Sequence, residues 1–222
     1  MRTTDELFLL LTTDDGRLEG MSQRGFGLTA SLLADLVEAG RLHLSDDRDP
    51  KAHLVDSSPT GDPVLDHGVL RLVQKRPGTR LSSLVADRKL NPEPLVVVRL
   101  QGAGVVGHEP KRMLGLVPDR YPTLDPGPEA HVRSRLAAVL AGAQAPSRGD
   151  ATILSVLQGL GVAHRVLKTE AAGRSSRELK KRVEEVVAST PAGDAVGRAV
   201  SALNTAMITA VVIPVVVAGG SS

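Results

Sequence analysis

Three aromatic side chains, Phe8, Phe26 and Tyr121, are all that this 222-residue chain has for filling its interior with rings, and it contains no Trp. The core must therefore be built from Leu, Val and Ala, which favours packed helices. Hydrophobic residues make up 41% of the chain and charged residues 23%, a globular balance rather than a disordered one. The length suits one large domain or two small ones with a sizeable core. With no Cys, disulfides and thiolate metal sites are excluded. The net charge of +2 argues weakly for nucleic acid or membrane binding, so clusters of charge matter more than the total.

The order of elements follows from caps and glycines. Thr3 and Glu6 have capping-box spacing ahead of the apolar run Leu7 to Leu11, which predicts a short buried helix and then a turn at Asp14-Asp15-Gly16. Leu32, Leu33, Leu36 and Val37 recur at helical spacing, and Gly40 stops that helix. Arg41 to Leu44 alternates like a strand, Asp46 to Pro50 turns, and Ala52 to Val55 returns: helix, glycine, hairpin. Leu100-x-x-Ala103-Gly104-Val105 echoes Leu36-x-x-Ala39-Gly40-Arg41, so a second helix ending at glycine and entering a hairpin is expected. Helices are also predicted over Glu129 to Ala141, from Asp150 to Leu160, after the capping pair Ser175 and Glu178, and from Asp194 past Met207.

Asp56 and the ten residues after it, SSPTGDPVLD, are the densest run of turn formers. Pro59 keeps Ser58 out of the α region, and Thr60-Gly61 allows a tight turn. Asp62 is placed as an N-cap, with Pro63 at the first helical position where its missing N–H costs nothing. The helix that follows is expected to bury Leu65, Val69, Leu70 and Val73.

Several motifs tempt other readings. Gly102-Ala103-Gly104-Val105-Val106-Gly107 fits a dinucleotide fingerprint after Val96-Val97-Val98, but that fingerprint needs a strand before it and a helix after it, and Pro110 follows. Helix and hairpin over 28 to 56 suggest a winged helix, yet the helix holds Asp35 and Glu38 and no base. The six His are scattered, with no metal-ligand spacing and no nucleophile–base pair, so neither a catalytic residue, a metal nor a cofactor is expected. Lys111 and Arg112 lie beside Val105, Val106, Met113 and Leu114, and an apolar tip with cations is what contact with a membrane surface needs.

DELFLLL, then GLTASLLADLVEAGRLHL, SSPTGDPVLD, LQGAGVVGHEPKRMLGL and RYPTLDP, in that order, resemble the Golgi phosphoprotein 3 family, closely over about residues 4 to 140 and diffusely over 141 to 222. The bacterial branch is the nearer one. The resemblance implies a mainly α, single helical domain with short β-hairpins, one of them projecting. It further implies a non-enzymatic peripheral membrane or adaptor protein that binds an anionic phospholipid head group, phosphatidylinositol 4-phosphate in eukaryotic members. Those members use a Trp and several Arg around a basic pocket. Here the Trp position falls near Gly20, Thr29 stands where one Arg is expected, and Pro92 to Leu95 replace a paired Arg; the hairpin, 104 to 116, carries over. The membrane contact is therefore expected at Lys111, Arg112, Val105, Val106, Met113 and Leu114, with Arg24, Arg99 and Arg120 joining the patch if the fold gathers them. A protein partner or a homo-oligomer through the hairpin is the competing use, nucleic acid is not expected, and the expected location is the cytoplasm, peripheral on the cytoplasmic membrane face. The N-terminus is unlike a signal peptide, and Met207 to Ala218, interrupted by Pro214, is too short to cross a bilayer.

Overall fold

The computed structural model describes residues 1–18, 23–47, 49–110 and 119–189. In chain order its elements are α1 (Thr3–Leu10), α2 (Arg24–Glu38), β1 (Leu42–Leu44), β2 (Lys51–Leu54), α3 (Pro63–Val73), β3 (Thr79–Arg80), α4 (Leu81–Val85), a 3-10 turn (Arg88–Leu90), α5 (Glu93–Gly102), α6 (Gly127–Ala141), α7 (Arg148–Gly159), α8 (Ala163–Val166) and α9 (Ser176–Ser189). The sheet is antiparallel in the order β1-β2-β3, with Leu42 opposite Leu54, Leu44 opposite Ala52 and Ala52 opposite Thr79. The predicted helix over Asp194 to Met207 lies outside the described residues.

α2 is the axle. It is buried nearly from end to end and packs on α1, α3, α4 and α7. Leu28, Leu32, Leu33 and Leu36 on it are wholly inaccessible, as are Leu7, Phe8 and Leu11 of the N-terminal segment. A helix covered on all sides cannot enter a DNA groove, so the winged-helix reading fails at its recognition helix.

Both helix–glycine joints form as the echo predicts. Gly40 and Gly104 adopt φ of +68° and +71°. The N–H of Arg41 reaches the carbonyl of Leu36, and that of Val105 the carbonyl of Leu100, each at 2.9 Å. These are the six-residue bonds that close a helix through a left-handed glycine. Val96-Val97-Val98 is helical, inside α5. The strand that a dinucleotide fingerprint requires is absent at that point, and that reading falls with it.

The caps are partly shifted from their predicted places. α1 begins at Thr3 itself: the Asp5 carboxylate accepts the Arg2 N–H at 3.0 Å, while Glu6 instead pairs with Arg135 at 2.6 Å. The cap of α7 is Ser147, with Asp150 returning a 2.9 Å bond to the Ser147 N–H. Asp62 caps α3 as expected, accepting from Val64 and Leu65 at 2.9 and 3.3 Å. Ser175 and Glu178 form the predicted reciprocal pair. On α3 the buried stripe is Val64, Leu65, Val69 and Leu72, whereas Leu70 and Val73 are exposed. Apolar pairs at 69–70 and 72–73, on either side of Arg71, give the helix two almost equal apolar faces, and contact with α2 selects the first.

Candidate functional site

The structure divides the predicted membrane-contact residues. Val105 and Val106 are core residues, 6% and 1% exposed, and present no apolar tip. Arg99, on α5, is locked into an ion-pair hub: its Nε and Nη2 donate to Asp5 at 2.9 and 2.5 Å and its Nη1 to both oxygens of Asp62 at 3.0 Å. Arg120 lies on one arm of the hairpin, where it exchanges backbone bonds of 2.9 and 2.8 Å with Glu109; Val106 pairs with Thr123 further down. Lys111, Arg112, Met113 and Leu114 lie outside the described residues.

Arg24 has a different fate. It is the first residue of α2, 7% exposed, and its Nη2 donates to the Glu93 carboxylate. Its Nε and Nη1 are buried with no acceptor. A buried guanidinium with unmatched N–H groups carries the full desolvation penalty of those groups. α2 also starts without a side-chain cap, since the Gln23 side chain supplies no bond. An uncapped helix start leaves backbone N–H groups and the positive end of the helix dipole facing outward, which favours an anion.

Beside the Arg24–Glu93 pair lies a cleft of about 410 Å³, lined by Gly25, Phe26 and Thr29 of α2 and by Val85, Asp87, Arg88, Asn91 and Glu93 from the end of α4 to the start of α5; Arg24 itself is not on the lining and meets the cleft through Glu93. Its far wall is built by capping chemistry. Asp87 accepts the Lys89 N–H at 2.9 Å, and the Asn91 Oδ1 accepts the Glu93 N–H at 3.1 Å, which fixes the turn that opens α5. Asp87 is also bonded to Lys75, and its carboxyl is held below its usual range: burial would raise it, but the Lys75 bond and the Lys89 N–H prevail. Thr29 ties its hydroxyl to the Gly25 carbonyl at 2.8 Å, which leaves its oxygen able to accept and not to donate.

Thr29 stands where the family resemblance expects one Arg, Glu93 lies within Pro92 to Leu95 where it expects a paired Arg, and the fold brings both to the same cleft. The base of the hairpin adjoins it. Tyr121, on the hairpin arm, stacks on His108 with centroids 5.5 Å apart and meets Phe8 edge-on at 6.0 Å. Its N–H donates to the Gly16 carbonyl at 3.0 Å, pinning the arm to the N-terminal turn. Burial raises the Tyr121 pKa, with Asp119 and Glu93 adding to the rise and Arg24 opposing it, so the ring lies within the field of the Arg24–Glu93 pair. Glu93, Asn91, Arg88, Phe26 and Tyr121 were not among the predicted site residues. The signal in the sequence near them was the mismatch at Pro92 to Leu95, which includes Glu93.

The protein is a mainly helical domain with a small three-stranded sheet and an anchored hairpin, and no helix among the described residues is long and apolar enough to cross a membrane. Residues 4–203 match the family model Golgi phosphoprotein 3 (GPP34). The chain belongs to the Golgi phosphoprotein 3 family. No curated protein matches it.

Proposed function

We propose that the chain is a non-enzymatic, peripheral membrane or adaptor protein that holds the phosphate of an anionic phospholipid in the cleft between α2 and α5. The observation that carries this reading is the buried Arg24, with two nitrogens lacking acceptors, at the uncapped start of α2. A phosphate oxygen that takes the place of the Glu93 carboxylate would meet the Arg24 guanidinium at the start of α2, and charge-assisted bonds to a guanidinium are about twice as strong as neutral ones. Glu93 competes for the same guanidinium, so head-group binding is moderated by an internal carboxylate. Arg88 at the cleft mouth adds a second cation. Lys111 and Arg112, with Met113 and Leu114, supply a second contact from the hairpin, and the protein works on the cytoplasmic face of a membrane.

Sedimentation with phosphatidylcholine vesicles, with and without phosphatidylinositol 4-phosphate, tests this. The wild type binds the anionic vesicles and is released as salt rises. Arg24→Gln weakens binding by about tenfold or more, and Glu93→Gln, which frees the guanidinium, strengthens it several-fold. Lys111→Glu with Arg112→Glu costs about 1 kcal/mol per cation. Equal binding to neutral vesicles, or the same direction of change in both cleft variants, overturns the reading and leaves the hairpin as an oligomer-forming or partner-binding arm.

A further inference from the structure

A second concavity, about 320 Å³, lies on another part of the surface, where the sheet meets the C-terminal end of α3. Leu42, Leu54, Leu72 and Leu84 form its floor, and Val73 and Pro77 its lip. The apolar surface does not stop at the lip. Val73 is 57% exposed and Leu70, one turn earlier on the same face of α3, is 65% exposed. Side chains at this spacing make a stripe along the helix beside a socket.

The charged residues lining the socket are of one sign. Lys75 and Arg76 line it, and no Asp or Glu does. Lys75 is already bonded to Asp87. Arg76 is exposed, and among the described residues no carboxylate pairs with it. A socket, a helical apolar stripe and a basic rim are the elements of a groove that takes an amphipathic helix by one anchor side chain and orients it by charge.

We propose that this groove docks an acidic amphipathic segment of another protein, with a large aliphatic or aromatic anchor in the socket, its apolar face along Leu70 and Val73, and a carboxylate at Arg76. A second copy of the chain fits poorly, because a two-fold contact would set the unpaired Arg76 side of the rim against itself, and the acid nearest the rim, Asp87, is already taken by Lys75. A lipid tail would use the socket but not the exposed stripe along α3. The proposal does not rest on the lipid cleft, and a failure of either leaves the other standing.

Selection of a displayed library of peptides about 16 residues long, some four helical turns, tests it. Enriched peptides carry apolar residues at i, i+3 or i+4, and i+7 with Asp or Glu between them. Synthesised, they shift the methyl resonances of Leu54, Leu72 and Val73. Val73→Glu, at an exposed position and checked for folding by its melting curve, weakens them about tenfold or more, while Val98→Glu at an exposed site on α5 does not. Arg76→Glu weakens them too, and peptides with Lys in place of the acidic residue recover the loss. The proposal is overturned if no peptide is enriched, if enriched peptides lack acidic residues, or if Val73→Glu binds as the wild type does. It is likewise overturned if the charge exchange fails to rescue, if oleate but no peptide moves those methyl resonances, or if sedimentation velocity shows a dimer that Val73→Glu dissolves.

Discussion

Arg99 and Arg24 both begin from the same sequence-level description, a base on a mainly apolar helix near a turn, yet they occupy opposite kinds of environment. Arg99 sits in a hub where every side-chain nitrogen has an acceptor: Asp5 takes Nε and Nη2, and Asp62 takes Nη1. Arg2 closes the hub with a 2.7 Å bond to Asp62. The same Asp62 caps α3, and neighbouring Thr60 sends both its N–H and its hydroxyl to Asp66 at 2.6 Å. The Pro-Thr-Gly-Asp corner therefore welds α1, α3 and α5 together. Arg24 has one acceptor and two orphaned nitrogens. The saturated guanidinium holds the fold, and the unsaturated buried one is the feature on which the proposed head-group site rests.

The sharpest way to break this comparison is to remove each arginine. Arg99→Ala strands Asp5, which is 2% exposed, and we expect a loss of about 3 kcal/mol of stability, the cost of leaving a buried charge unpaired. Anionic vesicle binding by the fraction that stays folded should be unchanged. Arg24→Ala should cost about 1 kcal/mol, because it strands a partly exposed Glu93 but also relieves two unmatched N–H groups. Denaturant melts of the two variants decide the matter. Equal losses would make Arg24 another structural clamp.

How much of this could be read from the chain depends on the range of the interaction. Local chemistry was legible: Asp62-Pro63 as a cap, Gly40 and Gly104 as helix stops, and Ser175 with Glu178 each act within a few residues. Shifts of one or a few positions were not, because Thr3, Arg2 and Ser147 differ from their neighbours only in which N–H happens to lie within reach. The division between Arg99 and Arg24 was out of reach altogether. Asp5 and Arg99 are 94 positions apart, and Arg24 and Glu93 are 69. A list of bases cannot say which carboxylates the fold returns to them, so a predicted basic patch of Arg24, Arg99 and Arg120 dissolved into a clamp, a cleft and a hairpin arm.

Acid titration sharpens the contrast within the hub itself. Burial raises the Asp62 pKa, but the Arg2 bond, the Leu65 and Val64 N–H groups and the Arg99 charge outweigh it, and the group stays below its usual range. Its contribution is thus present above the unfolded value of about 3.9 and lost as pH falls through the lower folded value. Asp35, on α2 nearby, is shifted the other way: burial raises it against the 3.1 and 2.6 Å bonds from the Thr4 N–H and hydroxyl. A raised value means stability that is full below about 3.9 and lost as pH rises through the folded value. Acidification from neutrality should first relieve Asp35 and then undo Asp62. Asp35→Asn should abolish the early gain and Asp62→Ala the late loss, in melting temperatures followed from pH 7 downward. A monotonic profile in the wild type would mean that the two carboxylates do not titrate apart.

The smallest expected effect is also the most local test of the cleft. Gly25 lies in the first turn of α2, and a Cβ added there would sit 3.2 Å from the Asn91 Nδ2 across the cleft. Its helical backbone has no need of a left-handed glycine, so Gly25→Ala should gain up to about 1 kcal/mol from helix propensity. Part of that gain returns as crowding, because Asn91 must shift by a few tenths of an ångström while its Oδ1 still accepts the Glu93 N–H. The net change in stability should be a small increase. On the proposed reading, head-group affinity should fall about two- to threefold, since the methyl would narrow the cleft beside the proposed phosphate site and press on the turn that positions Glu93. Arg99 and its hub lie outside this contact and should not respond. A stabilised variant with undiminished vesicle binding would place the phosphate elsewhere than beside Gly25, and would shift the weight of the membrane contact to Lys111 and Arg112.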